Sequence, residues 1–138
     1  MRVAKEFRWE MGHRLPFHEG LCKNLHGHSY KMLVEFTGEL NEHGILVDYY
    51  DIKKIVGPIV DELDHSIIVN KKDTELIDML SKLNSRHVII NADTTAENIC
   101  TYFLHKIKQT GLPASVSKIK LRVFETENTY AEEEVTLR

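Results

Sequence analysis

A cysteine and two histidines lie within seven residues near the N-terminus, in the stretch LCKNLHGHSYK. Cys22 offers a thiol, while His26 and His28 offer two imidazoles separated by one residue. Thiolate sulfur and imidazole nitrogen are ligand atoms that zinc commonly takes in proteins. A His-x-His pattern is short and also occurs in strands and loops that bind no metal. The stretch alone therefore leaves two interpretations open, a metal site and two ordinary histidines at the start of a strand.

Two segments next to this stretch have the period of a half-buried β-strand. Residues 2–13 place apolar side chains mainly at odd positions, and residues 29–37 place them at even positions. His13 continues the apolar face of the first strand, while His26 and His28 continue that of the second. Antiparallel pairing would bring the end of the first strand beside the start of the second. We therefore expect the three imidazoles to meet on one face of a sheet.

Three imidazoles at one point predict a metal site, with Zn²⁺ as the cofactor. Three protein ligands and a vacant fourth position are typical of catalytic zinc, whereas structural zinc usually has four Cys or His ligands. The predicted ligands are His13, His26 and His28, and Cys22 remains open as a fourth.

Two helices are predicted in the middle of the chain. The first follows Asp48, a suitable N-cap, because apolar side chains then recur at helical spacing. Pro58 falls inside this pattern, at a position where proline bends or breaks a helix. The second helix is predicted from DTTAENICTYFLHKIK, where Thr94-x-x-Glu97 has the form of a capping box, and it ends before Gly111.

The segment 66–93 is less regular, with a short helix predicted near Thr74–Leu83 and an extended piece at His87–Asn91. Two further strands are predicted from SKIKLRVFE and TYAEEEVTLR. Alternation places Glu125 on the apolar face of the first of these, where a carboxylate needs a partner. The order of two strands, two helices and two strands predicts an α+β domain with an antiparallel sheet covered on one face.

Length and composition limit what the chain can be. With 138 residues and 42% hydrophobic content, it suits a single domain over residues 1–138. No apolar run approaches the roughly 20 residues that cross a bilayer, and a net charge of −3 gives no support to a nucleic-acid partner. The first residues do not resemble a signal peptide, and two distant cysteines suit free thiols. We therefore expect a cytoplasmic protein that acts on a small molecule, with no membrane or nucleic-acid partner.

Several motifs occur in an order that resembles the 6-pyruvoyl tetrahydropterin synthase family. They are Trp9-x-Met11-x-His13, Cys22-x-x-x-His26-Gly27-His28-x-Tyr30, Leu63-Asp64-His65, Thr95-x-Glu97-Asn98 and Phe124-Glu125-Thr126. The resemblance runs from residue 7 to residue 133. Within the family the chain most resembles the 6-carboxytetrahydropterin synthases of queuosine biosynthesis. The three-residue gap between Cys22 and His26 favours that branch, and Cys22 stands where a side-chain-cleaving branch usually has glutamate.

The resemblance implies a fold and an assembly. The fold is the tunnelling fold (T-fold), a four-stranded antiparallel sheet with two helices on one face. Three subunits of that family close their sheets into a β-barrel and two such rings stack, which implies a homo-hexamer with active sites between subunits. Glu125 would then serve a pocket built by the histidines of another chain.

The resemblance also implies roles for individual residues. The zinc ligands of the family match the three histidines already predicted from strand parity. The implied catalytic residues are Cys22, Asp64 and His65, and the implied pterin-binding residues are Glu125, Thr95 and Glu97. Cys22 would be the base that removes a proton, His65 would shuttle protons, and Asp64 would orient the imidazole. Two of these matches have simpler explanations, because Glu97 fits a capping box and His65 fits a helix C-terminus.

The implied reaction converts 7,8-dihydroneopterin triphosphate to 6-carboxy-5,6,7,8-tetrahydropterin, with release of acetaldehyde and triphosphate. Two alternatives remain open. A 6-pyruvoyl-tetrahydropterin synthase or a side-chain-cleaving aldolase would use the same site and differ in product. A non-catalytic zinc-binding or pterin-binding protein would use no base at all.

A few residues depart from the family pattern or remain unassigned. Trp9 and Met11 stand where the family usually has Phe and Ala, so the side chains that line the pocket near His13 are bulkier. The loop after His65 is one residue longer than usual. Further candidates for binding the triphosphate are the basic residues Arg14, His18 and Lys23.

Overall fold

The first two strands pair along their whole length, as the alternation predicts. In a computed structural model of the protein, which describes residues 1–137, β1 (Arg2–His13) is antiparallel to β2 (His26–Gly38). β2 begins at His26 instead of residue 29, because the pairing continues to the last residue of β1. The segment between them contains a single 3₁₀ turn, Leu21–Lys23.

The sheet is larger than predicted. The remaining elements are α1 (Tyr49–Leu63), β3 (Ser66–Asn70), α2 (Thr74–Lys82), β4 (His87–Ile90), α3 (Ala96–Lys108), β5 (Val116–Thr126) and β6 (Thr129–Thr136). The strand order is β4-β3-β1-β2-β5-β6. β1, β2, β5 and β6 are antiparallel neighbours, whereas β3 runs parallel to both β1 and β4. The prediction of a four-stranded antiparallel sheet is therefore wrong, since the sheet has six strands and is mixed.

Helices cover both faces of this sheet instead of one. α1 and α3 pack on the main core, whereas α2 packs on β3 through a second cluster that contains Val69, Leu76 and Leu80. Ile68, the residue before Val69, points to the other face and belongs to the main core. β3 is thus apolar on both faces and shows no alternation, which explains why the sequence did not reveal it. The predictions of a short helix and an extended piece in this segment are confirmed by α2 and β4.

The helix termini follow local capping rules. The Asp48 carboxylate accepts the N–H of Tyr50 at 2.8 Å, which confirms the predicted N-cap, and α1 continues through Pro58. α3 is capped by Thr95, whose hydroxyl accepts the N–H of Asn98, so the capping box predicted at Thr94 is wrong. No helix in the described part of the chain is both long and apolar enough to cross a membrane.

The main core lies between the sheet and the helices α1 and α3. Its strand side includes Trp9, Met11, Tyr30, Met32, Val34, Phe36, Ile119, Leu121 and Val123. Trp9 stacks on Tyr30 with ring centroids 5.3 Å apart, so its bulk fills the core. Tyr30 in turn lies 5.6 Å from the ring of His28. The core therefore packs directly against the predicted metal site.

Candidate metal centre

Three imidazoles meet at one end of the sheet, as strand parity predicts. His13 ends β1 and pairs with His26, the first residue of β2, while His28 pairs with Met11. One nitrogen of each imidazole lies within 4.8 Å of the other two. A shift of one residue in the register would turn one strand's histidines to the other face. The register therefore builds this group of His13, His26 and His28, which we call the histidine cluster.

Backbone carbonyls fix the orientation of two of these imidazoles. His13 Nδ1 donates to the carbonyl oxygen of Thr94 at 2.7 Å, and His26 Nδ1 donates to that of Asn24 at 2.6 Å. Because a carbonyl only accepts, each Nδ1 carries the proton and each Nε2 keeps a free lone pair in the neutral ring. Such outer hydrogen bonds are typical of histidines that bind a metal through the other nitrogen.

The Nε2 atoms of the cluster have no hydrogen-bond partner, although all three are buried. A buried polar atom without a hydrogen-bond partner destabilises the fold. One cation bound between the three Nε2 atoms would give each of them a partner. Burial also lowers the pKa of His13 and of His28, which favours the neutral imidazole that binds metals. The cluster therefore fits a zinc ion with three nitrogen ligands.

Glu125 on β5 lies beside two members of the cluster. Its Oε1 lies 3.3 Å from His13 Nε2 and 3.7 Å from His28 Nε2. The Tyr30 hydroxyl donates to the same oxygen at 3.5 Å, and burial together with this carboxylate raises the pKa of Tyr30. Alternation correctly placed Glu125 on the apolar face of β5. The expectation that Glu125 serves the histidines of another chain is wrong, because it lies against those of its own chain.

Cys22 lies in the turn that leads into β2 and is not part of the cluster. Its thiol is half-buried in the 3₁₀ turn and is not among the grouped ligand atoms, so the structure does not place it as a fourth ligand. The side chain of Asn24 donates to the carbonyl of Leu21, and the carbonyl of Asn24 accepts from His26. The turn that carries Cys22 is thereby tied to the cluster.

Asp64 and His65 form a second titratable pair at the end of α1. The distance between His65 Nδ1 and Asp64 Oδ1 is 3.0 Å. The N–H of Glu10 donates to Asp64 Oδ1 at 2.9 Å, and this bond, with a smaller contribution from His65, lowers the pKa of the Asp64 carboxyl. His65 has a φ of 59°, a left-handed conformation that is uncommon outside glycine and recurs at functional sites.

Neither Asp64 nor His65 is part of the histidine cluster. His65 is largely exposed and lines a cleft with Glu10, Gly12 and Ser29. Glu10, Gly12 and Ser29 alternate along β1 and β2 with the members of the cluster, so they lie on the face away from the main core, which we call the outer face. His65 shares this cleft with one member of the cluster, His28.

The sequence model of the 6-pyruvoyl tetrahydropterin synthase family matches residues 2–135. The chain belongs to this family. It is 34% identical over 139 residues to the 6-carboxy-5,6,7,8-tetrahydropterin synthase of Haemophilus influenzae, an alignment that covers 95% of this chain and 96% of the relative. It is 29% identical over 154 residues to the protein of that name from Aquifex aeolicus, covering 94% and 95%. The resemblance inferred from the motifs is confirmed.

Solved structures of the 6-pyruvoyl tetrahydropterin synthase family share the fold. A catalytic-residue variant of the Plasmodium vivax 6-pyruvoyltetrahydropterin synthase aligns with a TM-score of 0.79 at 18% identity, covering 99% of this chain and 98% of that one. The Caenorhabditis elegans 6-pyruvoyl tetrahydropterin synthase aligns with a TM-score of 0.71 at 21% identity, covering 99% and 96%. At these identities the comparison shows the fold alone, and it supports the predicted T-fold.

Two residues that the family resemblance assigned to pterin binding lie at the start of α3. The hydroxyl of Thr95 caps the helix, and Glu97 is exposed in the first turn. Glu97 lines a surface pocket with Thr101 and Glu133, apart from the histidine cluster. Their part in pterin binding stays a prediction.

The structure adds residues that sequence reasoning did not assign to the site. Thr94 and Asn24 contribute only carbonyl oxygens to it, and a backbone contact leaves no signature in residue type. Tyr30 was recognised as a strand residue, and its hydroxyl could have been suspected because a buried phenol needs a partner. Arg14, by contrast, makes two hydrogen bonds to Asp73, at 2.8 and 2.6 Å, instead of standing free for a phosphate.

Proposed function

We propose that the chain converts 7,8-dihydroneopterin triphosphate to 6-carboxy-5,6,7,8-tetrahydropterin, with release of acetaldehyde and triphosphate, as a zinc-dependent step towards queuosine. The observation that carries the proposal is the set of three buried, unpartnered Nε2 atoms, which fits a catalytic metal with three nitrogen ligands. The names of the Haemophilus and Aquifex relatives support the choice of reaction within the family.

His13, His26 and His28 would hold the zinc ion. When bound, zinc supplies a Lewis acid that makes the carbon-bound and hydroxyl protons of the substrate side chain easier to remove. The carbonyls of Thr94 and Asn24 keep the lone pairs of two ligands aimed at the ion. Cys22 is the proposed base, since a thiolate can accept a proton and the turn that carries it is tied to His26.

The proton shuttle of Asp64 and His65 would come from a neighbouring subunit. Support comes from the exposure of His65 beside outer-face residues and from three strand edges that lack a partner strand among the described residues. β4 and β6 end the sheet, and the part of β1 before Met11 pairs only with β2. Pairing such edges between copies would close three sheets into a barrel, and two stacked rings would give the proposed homo-hexamer.

Glu125 would bind the pterin ring, because a carboxylate accepts two hydrogen bonds from an amino group and an adjacent ring N–H. Thr95 and Glu97 are proposed as further pterin contacts. The Thr95 hydroxyl accepts the N–H of Asn98 and still has its own proton to donate to a ligand.

Mass spectrometry of the products tests this function directly. Zinc-loaded protein is incubated with 7,8-dihydroneopterin triphosphate, and we expect 6-carboxytetrahydropterin and acetaldehyde. Cys22→Ala should bind the substrate without turnover, whereas Cys100→Ala, which changes a thiol buried in the core, should retain turnover. A pyruvoyl product would redirect the chain to another reaction of the family, and substrate binding without any product in the unaltered protein would refute the enzyme assignment.

A further inference from the structure

The carboxylate of Glu125 faces lone pairs across a distance too short for a favourable contact between two acceptors. Its Oε1 lies 3.3 Å from His13 Nε2, and the proton of that imidazole is on Nδ1, where it is donated to Thr94. In the neutral imidazole that binds a metal, a ring with its proton on Nδ1 has only a lone pair at Nε2. A carboxylate oxygen and an imidazole lone pair at this distance repel each other unless a cation lies between them.

The spacing suits two ligands of one metal ion. Tetrahedral zinc with bonds of about 2.0–2.2 Å holds neighbouring ligand atoms roughly 3.4 Å apart. Glu125 Oε1 is 3.3 Å from His13 Nε2 and 3.7 Å from His28 Nε2, close to this spacing. Glu125 is not among the atoms that all lie within 4.8 Å of one another, so its carboxylate must move towards His26 to complete the shell. We propose that Glu125 is the fourth ligand of the metal in the substrate-free protein, so that the resting shell consists of three imidazoles and one carboxylate.

The sheet is built to aim this side chain. The register between β5 and β6 shifts between Phe124 and Thr126, so Glu125 has no partner residue on β6. Such an irregularity at the rim of a sheet re-aims a side chain, and it often occurs next to active sites. On the other side of β5, pairing with β2 stops at Lys31 and Phe124. Glu125 is therefore free of the strand ladder at the point where it reaches the cluster.

Ligation gives the Glu125 carboxylate two alternative partners, the metal and the pterin ring. The second partner rests on the proposed function. In the resting protein Glu125 neutralises part of the metal's charge and closes the shell. A substrate whose hydroxylated side chain takes the fourth position displaces the carboxylate, which is then free to accept the N–H groups of the pterin ring. The metal is thus shielded until a molecule arrives that can satisfy both the metal and Glu125.

The decisive experiment is a crystal structure of the full chain with Zn²⁺ and no substrate. We expect a Glu125 oxygen about 2.0–2.2 Å from the ion, together with the three Nε2 atoms. A water in the fourth position, with the carboxylate more than about 3 Å from the ion, would overturn the inference. This measurement needs no variant and no turnover.

Metal affinity in solution gives an independent test. Competition with a chromophoric chelator should show that Glu125→Gln binds Zn²⁺ about 10- to 100-fold more weakly than the unaltered chain. Glu127→Gln is the matched control, because it removes the same charge two residues away in an exposed turn and should leave the affinity unchanged. Circular dichroism verifies that both variants fold.

Cobalt substitution separates ligation from a through-space charge effect. Loss of a ligand should change the visible absorption of the Co²⁺-loaded Glu125→Gln variant, whereas weaker affinity with an unchanged spectrum would contradict ligation. The outcome is separable from the proposed function. Product formation with Glu125 away from the metal would refute only the ligation, and ligation without product would refute only the reaction.

Discussion

Asp73 offers a test of how the segment after His13 is held, because its carboxylate has two separable partners. It accepts two hydrogen bonds from the Arg14 guanidinium, at 2.8 and 2.6 Å, and it accepts the N–H of Leu76 at the start of α2. The side chain of Asp73 is 9% exposed and that of Arg14 is 24% exposed. The pair therefore ties the residue next to a cluster histidine to α2 with little screening by water.

Two substitutions at this position should differ in a defined way. Asp73→Asn keeps a good N-cap but loses the charge-assisted bonds, so we expect the free energy of unfolding to fall by about 1–2 kcal/mol. Asp73→Ala loses the cap as well, which costs about 1 kcal/mol more. Urea unfolding of metal-free protein at neutral pH measures both values, with an unchanged m-value as the check that unfolding exposes the same surface.

The pH dependence of these variants tests whether the Arg14–Asp73 pair causes the loss of stability. The hydrogen bonds from Arg14 lower the pKa of the Asp73 carboxyl in the folded chain. Its contribution is therefore complete above the ordinary aspartate pKa of about 3.9 and is lost as the pH falls through the lowered folded value. Equal losses for the two variants, or a deficit of Asp73→Asn that persists in acid, would contradict this account. The control Glu75→Gln, at a side chain 82% exposed and 3.9 Å from Arg14, should change stability by less than about 0.5 kcal/mol.

Two further predictions concern the outer face and the assembly. A Cβ on Gly12 would lie 2.5 Å from Ile67 Cδ1, the end of a flexible and partly exposed side chain that can move, so Gly12→Ala should destabilise the fold by at most about 1 kcal/mol. Ile67→Val should relieve much of that loss, and strictly additive effects in urea unfolding would exclude this contact as the cause. Co-expression of Cys22→Ala with His65→Ala chains should restore about a quarter of the turnover that each variant lacks, because random mixing completes that share of sites built from two subunits. Mixed oligomers that stay inactive would show that each site draws both groups from one chain.

The histidine cluster could be predicted from sequence because one face of β1 and β2 is buried. With a side-chain period of two, burial of Trp9 and Tyr30 fixes which way every neighbour points. The positions of His13, His26 and His28 then follow from counting. The identity of the metal does not follow in the same way, since nitrogen ligands suit several transition metals.

The start of α3 shows where local rules are insufficient. Thr94 and Thr95 are both good N-caps, and Thr94 also stands three residues before Glu97. The structure selects Thr95 and buries Thr94, whose carbonyl accepts the proton of His13 from the other end of the chain. A contact between residues 81 positions apart decided the helix boundary, and capping preferences carry no information about it.

The division of the site between two faces follows from the same alternation that gathers the cluster. Glu125, on the apolar face of β5, reaches the histidines of its own chain, whereas Asp64 bonds to the backbone of Glu10 and leaves His65 on the outer face. His28 also lines the cleft of His65, but neither Asp64 nor His65 is among the grouped ligand atoms of the cluster. In the proposed function a second copy supplies the proton shuttle. Turnover should therefore depend on assembly, whereas metal binding, which needs only one chain's imidazoles and Glu125, should not.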